Sequence, residues 1–558
     1  MASWVVASLP VLVLLLWAAL HPAKVTHYKV LGLRGNASSE EIQAAYTARK
    51  SPLDTKVDHA FYVLSDAYRR RVYDHFGLDS VESEEAALDT GPILSRTSSL
   101  DDTNFKSVLE STTPCLIQIF SDVNTRSREF SPVWERLAEV LEGQVNLLRV
   151  ELGEVQLAKL LAGKRWIRRH GIPSLVAKPP GCRELKCLIR YSKGLSYDSI
   201  LDWIATLLLD LPRIRYFSSQ NLIPEFIKKS GPHKVKVILF SDTGERALPF
   251  VREAAKKYSE FMSFGCVLWR QEEASIWKSR LGLELAPAVV FIKDPGVQPI
   301  IVYGKLTRDS FMETVEEHKV HVLPQLRSIT ASKLGCDPAD FSASGKDVET
   351  WYCVVVAGRP GFQLDQLRST MRIVQDELVS EDIDSHNFAA ATAYKDKRLS
   401  LSWLDGEMQK KFCYYCLPSE TVHETCGPRQ YQEQDVARIF MIRFRRDPNH
   451  QKPVVKRINT WWRLDDEEQD LASMLIAPYS GADEISEVLS WISSTVRDGD
   501  TNEIPFFNTK SVPALIPEEQ AVSMLSSTRN AASGMRRRLI DKVNSLVVDL
   551  MDFITDWS

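Results

Sequence analysis

The tripeptide Phe120-Ser121-Asp122 recurs 120 residues later as Phe240-Ser241-Asp242, each time closing an apolar run and opening a helix-forming stretch. A period of that length is the size of a domain, so it divides the chain before any single element is assigned. The run before the first copy is Cys115-Leu116-Ile117-Gln118-Ile119-Phe120, and the run before the second is Val235-Lys236-Val237-Ile238-Leu239-Phe240. Both have the length and apolar density of a strand. Downstream, each copy has an apolar residue, a proline and another strand run: Ile172-Pro173-Ser174-Leu175-Val176 and Ala286-Pro287-Ala288-Val289-Val290-Phe291-Ile292. The prolines stand 52 residues after Ser121 and 46 after Ser241. Matching order and spacing predict two α/β domains of one design.

This pattern resembles the thioredoxin fold, in which a strand leads to an active-site turn and a helix, and a cis-proline before a later strand faces that turn. A cis peptide is accessible almost only before proline, which accounts for the residue type at this place. The resemblance implies domains over 100–212 and 213–324, closed by helices over 197–209 and 308–318. Thioredoxins carry Cys-x-x-Cys in the turn. Counting back from Pro132, this chain has Asn124-Thr125-Arg126-Ser127, and the second copy has Gly244-Glu245-Arg246-Ala247. Disulfide exchange needs an attacking thiolate and a resolving sulfur, so both domains are expected to be redox-inactive. What the resemblance leaves is the cis-proline groove, which in the family receives extended polypeptide. Its candidate lining is Ile172, Pro173, Ala286 and Pro287, opposite Asn124, Ser127 and Asp242. A third, more divergent thioredoxin-like domain over 325–500 is expected from strand runs at 351–356 and 438–444 and a helix over 485–496. No proline immediately precedes its second strand, and a generic α/β domain is the alternative.

Ahead of these domains stand Tyr28-Lys29-Val30-Leu31-Gly32, then Ser38-Ser39-Glu40-Glu41-Ile42-Gln43-Ala44-Ala45-Tyr46, then Ala60-Phe61-Tyr62-Val63-Leu64-Ser65-Asp66 and Arg71-Val72-Tyr73-Asp74-His75-Phe76-Gly77. Ser38 and Glu41 have the spacing of a capping box, and Ile42, Ala45 and Tyr46 then share a helix face. Phe61, Leu64, Tyr68 and Val72 make a matching stripe. The segment resembles the J-protein family, whose helix pair is joined by a His-Pro-Asp loop that stimulates ATP hydrolysis by a partner heat-shock chaperone. No His-Pro-Asp lies between Tyr46 and Phe61, and that span is shorter than the usual J spacing by roughly fourteen residues. His21-Pro22-Ala23 precedes the first helix and lacks the acid. The resemblance implies a degenerate J-like module over 24–80 that binds a chaperone without activating it; an incomplete gene model is the alternative.

Residues 4–20 form an apolar run interrupted only by Ser8 and Pro10, which predicts a signal peptide or membrane anchor over 1–23. If the run is retained, Lys24, Lys29 and Arg34 after it favour a cytosolic body. Resemblance to J proteins of the endoplasmic reticulum implies a lumenal one. No retrieval signal follows Trp557-Ser558, so lumenal residence would call on another means of retention, such as an uncleaved anchor. Residues 81–99 read as a flexible acidic linker. In the tail, 501–558, Leu539, Val543, Leu546, Leu550, Phe553 and Trp557 recur at helical spacing, while four interspersed aspartates exclude a bilayer span. That amphipathic helix suits packing on the preceding domain, a partner helix or a lipid surface. A net charge of -4 offers no basic footprint for nucleic acid.

Of nine cysteines, Cys115, Cys266 and Cys353 fall in strand runs and read as small buried apolar residues. Cys182 and Cys187 flank a bend after Pro179-Pro180-Gly181 and are near enough in sequence to bridge. Cys413, Cys416, His423 and Cys426 are the one cluster suited to chemistry. Their C-x2-C-x6-H-x2-C spacing supplies four ligands for a tetrahedral zinc. Cys413 and Cys416 alone would be a redox pair, although such a pair belongs at a helix N-terminus. A structural disulfide or free thiols are the third reading.

The fold expected is α/β multidomain: a short helical J-like module, two to three thioredoxin-like domains and a C-terminal amphipathic helix. The function expected is non-enzymatic, a co-chaperone-like or scaffolding protein of endoplasmic-reticulum quality control that binds client polypeptides. Its partners would be a heat-shock chaperone, unfolded clients and, through an uncleaved N-terminal segment, the membrane. No cofactor is expected apart from zinc on the four-ligand reading. The alternatives are a thiol–disulfide oxidoreductase using Cys413 and Cys416 and a membrane-tethered structural linker.

Overall fold

The computed structural model describes residues 26–50, 54–78, 92–305, 307–380, 385–417, 422–428, 434–446, 471–501 and 512–517. The expected signal or anchor segment, most of the acidic linker and the amphipathic stretch 539–557 lie outside them. The chain divides into two compact units, Met1–Ile214 with Glu245–Lys257, and Arg215–Gly244 with Tyr258–Ser558. Among the described residues no helix is long and apolar enough to cross a membrane.

In the first unit four helices come first: His27–Val30, Ser39–Arg49, Thr55–Ser65 and Ala67–Phe76. The capping box forms, with Glu41 N donating to Ser38 Oγ at 3.1 Å and Ser38 N donating to Glu41 Oε2 at 2.7 Å. One turn on, Ile42 is buried with Tyr28, Leu31, Val57, Ala60 and Leu64. Tyr46 stacks on Phe61 at 3.9 Å between ring centroids. The stripe expected to run from Phe61 to Val72 is divided instead. Asp66 Oδ1 accepts from Arg69 N at 2.8 Å and caps a new helix, so Leu64 stays in the helical core while Val72 and Phe76 join the core of the first sheet.

That sheet comprises β1 (Ser98–Ser99), β2 (Cys115–Phe120), β3 (Asn146–Glu151), β4 (Ser174–Lys178) and β5 (Ile189–Arg190), in the order β1-β3-β2-β4-β5. Every residue of β2 is buried, because both faces are covered. Ile117 and Ile119 face a cluster with Leu148, Val150 and Val176, while Leu116 faces Trp134, Leu147, Leu175 and Ile204. Helix Pro249–Lys257 also belongs to this unit, where the buried Arg252 reaches Asp202 Oδ1 at 3.2 Å and the carbonyls of Leu211 and Pro212 at 2.9 and 2.8 Å.

The second unit holds two sheets. One contains β6 (Tyr216–Phe217), β7 (Val235–Ser241), β8 (Met262–Leu268), β9 (Ala288–Ile292) and β10 (Ile300–Tyr303), ordered β10-β9-β7-β8-β6. The other contains β11 (Thr350–Gly358), β12 (Leu399–Asp405), β13 (Arg438–Arg445) and β14 (Ser473–Pro478), ordered β12-β11-β13-β14. In each of the three sheets a central strand has one parallel neighbour and one antiparallel neighbour, and the antiparallel one pairs in turn with a second antiparallel strand. These are mixed α/β sheets of thioredoxin-like order. The bonds Ile172–Pro173 and Ala286–Pro287 are both cis, whereas Ala437 stands directly before β13.

The second unit also has a polar centre. Arg368 and Asp294, whose side chains are 1% and 0% exposed, form an ion pair, and the guanidinium lies 4.1 Å over the ring of Trp403. Lys236 Nζ donates to the carbonyls of Gly231 and Lys234 at 2.6 Å each, and burial beside Arg368 pulls its pKa down to about 8. His321 stands edge-on to Trp403 at 6.3 Å. Burial above all, with Arg368, Lys236 and Arg327 nearby and Asp294 opposing them, lowers its pKa to about 3. An unfolded imidazole titrates near 6.5, so below that pH the unfolded chain takes up a proton the folded one refuses. This contribution is fully present above about pH 6.5 and is lost as pH falls toward 3, by up to about 1.4 kcal/mol per pH unit. His321→Gln is therefore expected to flatten the loss of urea-unfolding stability between about pH 6.5 and 4.5; identical slopes in both proteins would refute the assignment.

Candidate functional site

At the end of β2, Ser121 and Asp122 lead into helix Thr125–Val140. Asn124 caps that helix, its Oδ1 accepting from Ser127 N at 2.9 Å and from Ser127 Oγ at 3.1 Å. Ser121 N in turn donates to Ser127 Oγ at 3.4 Å. The two places where disulfide chemistry would need sulfur thus hold a carboxamide and a hydroxyl engaged with each other. Neither group is an ionised nucleophile near neutral pH. Arg126 Nη1 lies 3.3 Å from where a Cβ on Gly171 would sit, which brings the turn alongside the cis-proline loop. Ile172 and Pro173, however, are buried, and Ile172 shares an apolar cluster with Val72 and Phe76 of the helical module.

That module clasps the same end of the sheet. Tyr68 donates from its hydroxyl to Glu151 Oε1 at 2.7 Å and meets Ser121 Oγ at 2.7 Å. Lys159 Nζ meets His75 Nδ1 at 2.9 Å, and Arg168 Nε donates to Phe76 O at 3.2 Å. Burial raises the Glu151 carboxyl above the usual range against the opposing hydrogen bond from Tyr68, and raises the Tyr68 phenol as well. Reading Tyr68 as one position in an apolar stripe concealed this role; a hydroxyl there is the one signal that could have suggested it.

In the second domain the corresponding residues are less buried. Phe240 pairs with Ala288, so the residues that continue the two strands, Asp242 and Ala286, stand at the same end of the ladder. Asp242 is exposed, Ala286 and Pro287 are half-buried, and Leu285 is 53% exposed beside them. Gly244 takes the left-handed conformation at φ 70° and donates its N–H to Ser241 Oγ at 3.1 Å. Cys266, the free thiol of this sheet, is buried in β8, and burial pushes its pKa up to about 12.

The cysteine cluster corrects two expectations. Cys413 is bonded to Cys426, while Cys416 is a buried free thiol whose pKa burial raises. Cys413 and Cys416 are therefore not each other's partners, and the four-ligand zinc set loses two sulfurs to a covalent bond. His423 Nδ1 meets Tyr414 Oη at 3.1 Å. No group of three or more His, Cys, Asp or Glu residues among the described ones could hold a metal ion. The loop that presents Cys426 is fixed by Arg359, the residue after β11, which donates to Gly427 O at 2.8 Å, Glu424 O at 3.0 Å and Asp435 Oδ1 at 3.1 Å. Cys353, expected as a plain apolar residue, is bonded to Cys336, and Cys182 is bonded to Cys187.

A scan against protein families matches none, and a search of curated proteins matches none. Among solved structures, the J-Trx1 fragment of ERdj5 is 20% identical over 33% of this chain and 98% of its own, with a TM-score of 0.18. ERdj5 form I is 14% identical over 84% of this chain and 55% of its own, at 0.22, so this chain spans about half that length. Human ERp44 form I is 13% identical over 62% of this chain and 78% of its own, at 0.25.

Tyr68→Phe removes two of the clasp's four hydrogen bonds, leaving buried Ser121 and half-buried Glu151 without them. It is expected to cost about 1–3 kcal/mol in denaturant unfolding and to speed amide exchange over 67–76; an unchanged midpoint would show that the clasp does not hold the module.

Proposed function

We propose that this protein is a non-enzymatic polypeptide-binding or scaffolding factor of endoplasmic-reticulum quality control, holding extended client segments at a cis-proline groove without altering their disulfides. The observation that carries the reading is the exposure of the second domain's candidate residues: Asp242 is exposed, Ala286 and the cis Pro287 are half-buried, and no cysteine stands in the turn. Extended chains bind through main-chain hydrogen bonds supplemented by apolar contacts, and exposed Leu285 supplies one of the latter. Of the first domain's counterparts, Ser127, Ile172 and Pro173 are buried, and Ile172 packs with Val72 and Phe76 of the helical module, so the second domain carries the binding. The helical module, read as a degenerate J region, docks a heat-shock chaperone and leaves its ATPase unstimulated. A lumenal location, with the N-terminal segment as an anchor if uncleaved, agrees with three disulfides, which persist in oxidising compartments.

Full-length protein is expected to suppress aggregation of a reduced, denatured client at near-equal molar ratio, with insulin reduction at background. Leu285→Asp is expected to weaken that suppression several-fold. Insulin reduction that Cys413→Ser abolishes would replace this reading with an oxidoreductase, and absence of any client binding would replace it with a structural linker.

A further inference from the structure

The turn ahead of helix Ser39–Arg49 holds Asn36-Ala37-Ser38, the one Asn-x-Ser/Thr of the sequence in which x is not proline. Such a triplet is an acceptor for an N-linked oligosaccharide where the asparagine stands on a surface turn that tolerates bulk. The geometry here meets that condition. Ala37 N donates to Arg34 O at 3.1 Å and closes a four-residue turn, with Gly35 and Asn36 at its tip. Ala37 is buried with Tyr28, Leu31 and Ile42, which pins the base of the turn. Arg34, Gly35 and Asn36 are exposed, and a Cβ on Gly35 would meet nothing within 4 Å among the described residues.

Asparagine has two local uses in turns: its side chain bonds to the backbone two residues on, or it takes up a left-handed φ. Asn36 does neither. Its carboxamide makes no hydrogen bond among the described residues, and its φ is not positive. Ser38 does have a local use, as the cap whose Oγ accepts from Glu41 N at 3.1 Å. That hydroxyl is free to be read by a transferase only before helix Ser39–Arg49 forms, so the modification belongs to the emerging chain. Nothing in the turn's own hydrogen bonding calls for asparagine at its tip.

We propose that Asn36 carries an N-linked oligosaccharide, which projects from this turn into solvent. In its formation Asn36 Nδ2 bonds to the anomeric carbon of the sugar, and the bond from that carbon to the pyrophosphate of a lipid-linked donor breaks. The pyrophosphate leaves with the electron pair, and the amide gives up one proton. The inference rests on the lumenal reading, because the donor sugar is delivered in that compartment, and it is independent of the cis-proline groove.

Translation of the full chain in the presence of microsomes tests it, with protection from added protease and treatment with peptide N-glycosidase read on the same samples. Most chains are expected to be protected and to gain mobility by a single step on deglycosylation, and peptide mapping is expected to find the Asn36 carboxamide hydrolysed by that treatment. Asn36→Gln and Ser38→Asn are each expected to abolish the step, and Ser38→Thr to retain it. Asn and Thr both cap helices, so a loss in Ser38→Asn that Ser38→Thr does not share reports the hydroxyl and not the fold. A protected chain whose Asn36 is unmodified overturns the site and leaves the lumenal reading standing. A chain open to protease overturns both. A step that survives Asn36→Gln overturns the assignment as well.

Discussion

The ion pair between Arg368 and Asp294 sets the terms for the second unit. Asp294 stands just past β9 and Arg368 within the helix that follows β11, so the pair ties elements of two sheets across a region sealed from water. Removing either partner would strand the other charge in a low-dielectric interior, a loss usually larger than the pair's net worth. The surroundings conform to that charge balance. His321 is neutral beside it, Lys236 is satisfied by two carbonyls, and Trp403 lies flat under the guanidinium. A centre of this kind fixes relative placement more than it adds stability, because every group in it depends on its neighbours' geometry.

A different principle organises the first unit. There the turn that would carry disulfide chemistry is filled by hydrogen bonds among Asn124, Ser127 and Ser121, and a helix from the preceding module lies on the same end of the sheet. Absence of sulfur and closure by packing occur together. In the second domain the sulfur is likewise absent, but the candidate residues are less buried, with Leu285 exposed next to Ala286 and Pro287. Two copies of one architecture thus present opposite surfaces, and the difference arises from what lies beside each rather than from the strands themselves.

Much of the scaffold could be read from residue patterns. The strand runs, the capping box at Ser38 and Glu41 and the prolines at 173 and 287 depend on local chemistry or short spacings, and each has a direct structural counterpart. The remainder depends on partners distant in sequence. Asp66 could equally continue a helix or cap one, and only the sheet that takes up Val72 decides it. Tyr68 reads as apolar until Glu151, 83 residues on, accepts its proton donor. Cysteine pairing is underdetermined by spacing, so Cys413 looked toward Cys416 in the sequence while the folded loop offers Cys426.

The merging of the last helix of the opening module into the neighbouring sheet's core bears on evolutionary persistence. A helical module packed on nothing could be lost without consequence for its neighbour. Here Val72 and Phe76 roof an apolar surface that includes Val150, Leu152 and Ile167, which water would otherwise reach. Loss of the segment would bare that surface, so the adjoining domain's solubility depends on it.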